Sequence, residues 1–218
     1  MIIDHNYKDY RKRWKASGGN KYNGAYYYSK EIVDNIIPNI KTDRNWITIN
    51  TLGFGVDHSI VFIHNNKNPE RYNWLSKYND LILVCGVEDT CWKVAHLGTP
   101  IYIPLSVDVN YVKKFRRAKK TKEVAFAGRL MKMKYGTLPD NIDILSGLSR
   151  GRLLNEMSKY KKIYAVGRLA IEAKILGCEV LPYDKRYPDP EMWEIIDNFN
   201  ASRRLQKALD KIDGKVNK

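Results

Sequence analysis

The 218-residue chain has only three cysteines, Cys85, Cys91 and Cys178. They are scattered and none lies in a CxxC pair, which argues against a disulfide framework and against a structural zinc site. No run approaches the roughly 20 apolar residues that span a bilayer. The first residues, MIIDHNYKDYRKRWK, lack the apolar stretch of about 7 to 15 residues that marks a signal peptide. A soluble, cytoplasmic protein is therefore expected. A GxxxxGK[ST] motif is missing, which argues against a P-loop NTPase, and no internal repeat or low-complexity tract is visible. Acids are scarce, with 24 Asp and Glu against 38 Lys and Arg, for a net charge of +14, while 44% of residues are apolar. That mixture excludes a disordered basic tail and leaves a folded, cationic protein.

The positive charge is localised. Residues 1–30 hold seven bases and two acids, and residues 108–136 hold ten bases and two acids. The second segment contains KKFRRAKKTK, which crowds Lys113, Lys114, Arg116, Arg117, Lys119, Lys120 and Lys122 together. Such a run repels itself unless an anion is near. It reads either as a landing strip for a polyanion, nucleic acid or an acidic membrane surface, or as a solvated linker. The tyrosines Tyr22, Tyr26, Tyr27 and Tyr28 beside the first basic segment suit packing on a helix better than stacking on bases.

Apolar, β-branched runs at WITINT, SIVFIHN, DLILVCG and PIYIPL read as strands. KEIVDNIIPNI, with Ser29 as N-cap, PERYNWLSKY and EDTCWKVAHLG, closed by Gly98, read as helices between them. The second half continues with strands at EVAFAG, NIDILSG, KIYAV and CEVLPYD, and with helices at RGRLLNEMSKY and RLAIEAKILG. This alternation predicts an α/β chain of two small Rossmann-like halves with parallel sheets, which bind ligands at the carboxyl ends of their strands. The composition break places an N-terminal domain at 1–107, a basic linker at 108–122, a nucleotide-binding domain at 123–188 and a C-terminal helical segment at 189–218.

Three segments carry the chemistry: IPLSVD, FAGRLMKMKYG and AIEAKILGCEVLPYD. In the second, Arg129 directly follows a strand and Gly128, with Lys134 five residues on. Both cations emerge at a strand's carboxyl end, where they suit a diphosphate, Arg as a fork and Lys as a point charge. In the third, Glu172 lies in the first turns of a helix that begins at a strand end. A carboxylate there can accept from a ribose diol, or can simply complement the helix dipole.

In order and spacing these segments resemble the nucleotide-sugar half of GT-B fold glycosyltransferases, in particular the retaining group with an E-x7-E motif. The likeness spans about residues 100–184. It implies that Arg129 and Lys134 hold the diphosphate of a UDP- or GDP-linked sugar, that Glu172 holds the ribose, and that Gly128 and Gly167 let the backbone approach the ligand. It implies no metal and no cofactor beyond the donor itself. Two departures stand out: Tyr164 occupies the position of the first motif acid, and Ser106 stands where the turn commonly has glycine.

Resemblance is weaker in the N-terminal half. Gly18 and Gly19 read either as a glycine loop beside the donor phosphates or as part of a tether, and Gly53, Phe54 and Gly55 are too brief a run for a dinucleotide loop. Asp57, His58 and His64 are candidate bases for an inverting transfer. The expected function is hexosyl transfer from a nucleotide sugar to a hydroxyl acceptor, with DNA or another anionic polymer suggested by the charge. A catalytically inert nucleotide- or nucleic-acid-binding protein on the same fold is the alternative.

Overall fold

The computed structural model describes residues 2–3, 24–48, 55–63, 68–133 and 136–214. Gly18, Gly19, Gly53, Phe54, His64 and Lys134 lie outside them. The chain forms two α/β units, each built on an all-parallel sheet.

The first unit contains Ala25–Ser106 and the chain from Ile196 onward. Its strands are β1 (Ile2–Ile3), β2 (Asn45–Ile47), β3 (Ser59–Ile63), β4 (Leu81–Cys85) and β5 (Thr99–Tyr102), in spatial order β1-β2-β3-β4-β5. Every residue of β3 and β4 is buried, as in a parallel sheet covered on both faces. Ile47, Val61, Ile63, Leu81 and Leu83 join Tyr72, Leu75, Val94 and Leu97 from the connecting segments in one core.

Helix α1 (Gly24–Glu31) begins earlier than the expected Ser29 cap, then widens into a π turn at Ile32–Ile36 and tightens at Ile37–Asn39 around Pro38. Tyr26 and Tyr28, two positions apart and so on different sides of the helix, are both buried, and Ser29 lies inside the helix and is fully buried. PERYNWLSK is a 3-10 segment, Pro69–Lys77, and α2 (Glu88–Val94) follows β4. Gly98 is extended instead of left-handed at φ 165°. Its requirement is close approach, since a Cβ there would stand 2.5 Å from the Leu81 carbonyl oxygen.

The second unit includes Val107–Ile195. It contains α3 (Val109–Lys113), β6 (Lys122–Ala127), α4 (Leu130–Met133), β7 (Asp143–Leu145), α5 (Arg150–Met157), β8 (Tyr160–Tyr164), α6 (Arg168–Ile175) and β9 (Glu179–Leu181). Its strand order is β7-β6-β8-β9, all parallel. Asp108, from IPLSVD, caps α3 by accepting from the Tyr111 N–H at 2.8 Å.

Two expected boundaries change. Residues 108–122 are not a separate linker: they form α3, a pinned turn and the start of β6. The C-terminal stretch divides at Ile195, and α7 (Asn198–Ile212) belongs to the first unit. Asp197 caps α7 through the Asn200 N–H at 2.7 Å, and Ala201, Ser202, Leu205 and Leu209 form its buried stripe. Gln206 exchanges hydrogen bonds with the Lys41 backbone, and the buried Arg44 guanidinium bridges Asp213 and Asp80.

Candidate functional site

In the second sheet the chain steps from β6 outward to β7, then returns across β6 to β8. This reversal of strand order creates a switch point between β6 and β8, and parallel sheets bind ligands in the crevice at the carboxyl ends flanking such a point. The described strands of the first sheet run in sequence order without reversal. Topology therefore singles out two turns, the one leaving β6 and the one leaving β8.

The turn after β6 is Gly128–Arg129. The Gly128 N–H still donates to the Leu145 carbonyl of β7 at 3.3 Å, so the backbone leaves the sheet at this glycine. Arg129 is exposed. A Cβ on Gly128 would stand 2.8 Å from the Phe126 ring, which meets Tyr183 edge to face at 5.2 Å between centroids. Gly136 closes the same loop against Tyr183, where a Cβ would fall 1.8 Å from the Tyr183 carbonyl oxygen. No side chain fits there.

After β8 the chain passes Tyr164, Ala165 and Val166 to Gly167, the N-cap of α6, at φ 63° and ψ −138°. Side chains avoid that conformation. With no side chain at the cap, the first amides of α6 have no capping partner from Gly167, and a Cβ at Gly167 would meet none of the described residues within 4 Å. A helix N-terminus whose N-cap residue offers no side chain, beside a switch point, is an arrangement that accepts anions.

Glu172 is fully buried, one turn into α6. Its Oε1 accepts from Arg168 Nε at 3.1 Å and from Arg150 Nη2 at 3.3 Å, while Oε2 has no hydrogen-bond partner among the described residues. Arg150, the first residue of α5, also stacks over the Tyr111 ring at 4.7 Å. The carboxylate thus faces two guanidinium groups, and in this arrangement it holds arginines in place of presenting itself to a ribose. Tyr164 is the last residue of β8, in register with Phe126 and Leu181.

After β9 a turn places Asp184 on Arg186. The buried carboxylate accepts from Arg186 Nε at 2.8 Å and Nη2 at 2.7 Å, a two-pronged pair, and from the Arg186 N–H at 3.2 Å. Burial, reinforced by Asp184, pushes the Tyr187 phenol up to about 12, with the Arg186 and Arg129 cations opposing. Burial also raises the Tyr183 phenol.

Each of the four strands is therefore followed, within five residues, by an arginine: Arg129 after β6, Arg150 after β7, Arg168 after β8 and Arg186 after β9. Glu172 and Asp184 hold three of them. Arg129, Gly128, Gly167 and Glu172 stand out in the sequence, whereas Arg150, Arg168, Arg186 and Gly136 belong to no motif there. The Arg168–Glu172 spacing of four on a helix was a usable signal. The reach of Arg150 to Glu172 was not.

Asp57 and His58 immediately precede β3, at its amino end, opposite the edge where parallel sheets bind ligands. Asp57 Oδ1 accepts from the Asn79 N–H at 2.7 Å, and His58 Nδ1 pairs with Asp80 at 2.5 Å. Both fix turns, and neither position suits deprotonation of an acceptor. Among the described residues no group of three or more His, Cys, Asp or Glu is placed to hold a metal ion, and no helix is long and apolar enough to cross a membrane. Compared with protein-family models, curated proteins and solved structures, the chain matches none.

Proposed function

We propose that the chain is a glycosyltransferase that binds a UDP- or GDP-linked hexose at the carboxyl edge of the second sheet and passes the sugar to a hydroxyl acceptor. One observation carries the reading: an arginine follows every strand of this sheet, and α6 starts beside the switch point at Gly167, which supplies no side-chain cap. A diphosphate suits that set, because guanidinium forks and helix N–H groups both bind its oxygens.

In the proposed reaction the bond from the anomeric carbon to the diphosphate oxygen breaks, the acceptor oxygen bonds to that carbon, and the leaving diphosphate takes the acceptor proton. Arg129 and the α6 amides stabilise charge developing on the departing oxygens. Glu172 positions Arg150 and Arg168. The net charge of +14 favours an anionic acceptor, of which DNA bearing hydroxylated bases is one class.

The test is release of nucleoside diphosphate from a panel of nucleotide sugars, with and without duplex DNA. Arg129→Ala is expected to weaken donor binding by about 1.5 to 3 kcal/mol, and unchanged affinity removes Arg129 from the site. A second reading, nucleotide binding without turnover, is favoured by the engagement of Glu172 with two arginines and by Tyr164 at the position of the first motif acid. Donor affinity with no diphosphate release across the panel supports that reading.

A further inference from the structure

The cations of KKFRRAKKTK divide into two sets. Arg117 donates to Ser158 Oγ at 3.1 Å and to Asn155 Oδ1 at 3.0 Å. Lys120 Nζ donates to the Ser158 carbonyl at 3.0 Å and to the Leu176 carbonyl at 2.7 Å, the C-terminal ends of α5 and α6. Lys122 reaches Asp143 and the Tyr160 hydroxyl. These three fasten the segment to the unit. Lys113, Lys114, Arg116 and Lys119 are exposed, and none has a carboxylate partner among the described residues.

Neighbouring lysines of the same unit are matched one by one: Lys159 with Glu156, Lys161 with Glu123 and Lys162 with Glu179. The four unmatched cations thus fall within seven residues of the segment leading into β6, a ridge in which the Arg116 guanidinium lies beside Gly177 at the end of α6.

We infer that this ridge is a docking surface for the phosphate backbone of duplex DNA, an inference that does not depend on the reading of the donor site. Charge complementarity fits a polyanion whose contacts need no base sequence. No large apolar side chain of residues 109–121 is exposed: Val112 is buried, and Phe115 is half-buried with its ring against Tyr111 at 5.4 Å. A surface without an exposed aromatic lacks the stacking platform of single-strand binders, and one without an apolar anchor lacks the insertion element of an interfacial membrane site.

The test is fluorescence anisotropy with a mixed-sequence duplex of about two helical turns across a salt series. With four phosphate contacts, the logarithm of the wild-type association constant falls with that of salt at a slope of about −3.6. The variant Lys113→Ala, Lys114→Ala, Arg116→Ala, Lys119→Ala is expected to lose most of that slope, and at least tenfold in affinity at low salt, while its affinity for a nucleotide sugar stays unchanged. A charge-matched control replaces the paired Lys93, Lys159, Lys161 and Lys162 and is expected to keep the slope. The milder Lys113→Gln, Lys119→Gln variant is expected to lose about half of it. An unaltered slope in the ridge variants, an equal loss in the control, or tighter binding to a single strand or to phosphatidylserine-rich vesicles than to the duplex overturns the inference.

Discussion

Glu172 is where a residue's chemistry and its surroundings part company. A carboxylate near a helix start is legible in the sequence, and so is Arg168 four positions before it. Arg150, 22 residues upstream, reaches the same oxygen only because α5 and α6 start at one edge of the sheet. Removing one partner of a buried ion pair leaves the others uncompensated. Glu172→Ala is accordingly expected to destabilise the chain by about 3 to 5 kcal/mol in urea unfolding. A change within about 0.5 kcal/mol, typical of a surface site, would mean that the carboxylate is not holding the arginines.

Tyr187 gives a second test at the same scale. Its folded value, about 12, lies above the ordinary phenol value, so the folded state favours the protonated ring. The associated stability is fully present below about pH 10 and is lost as pH rises toward 12, amounting to on the order of 2 kcal/mol. Tyr187→Phe is expected to flatten the alkaline limb of the stability profile over that interval, with Tyr183 supplying what remains.

Elements were largely readable, because β-branched runs of four to six residues bounded by turns have few other uses in an α/β chain. Where reading failed, tertiary packing overrode a local signal. Ser29 looked like a cap, yet α1 starts at Gly24, with Tyr26, Tyr28 and Ser29 all buried. KKFRRAKKTK looked like a linker, yet Lys120 binds two helix ends at once. Lys120→Ala removes an ammonium from both C-termini and is expected to cost about 1 to 2 kcal/mol of stability. Lys119→Ala, one residue away and exposed, is expected to leave the melting temperature unchanged. At α6, Gly167→Ala forces a side chain into a conformation reserved for glycine, at a cost of roughly 1 to 3 kcal/mol. The added methyl meets none of the described residues within 4 Å, so the cost is conformational. If the melting temperature holds, the cap geometry is not required.

Across the whole molecule, alternating strands and helices announced two parallel α/β halves, and both are present. Strand order was not legible: nothing local distinguishes β7-β6-β8-β9 from a sequential sheet, although that order decides which turns flank a crevice. The return of α7 to the first unit was hidden for the same reason, since Arg44 and Asp213 meet across 169 residues of chain. The proposed donor site rests on the reversal of strand order in the second sheet. Amide chemical-shift mapping on the full chain during titration with UDP and GDP tests it most directly. The largest shifts are expected at Gly128, Arg129, Gly167, Arg168 and Leu169. Shifts centred instead on the amino end of β3, near Asp57 and His58, or no saturable shifts with either nucleotide, would contradict it.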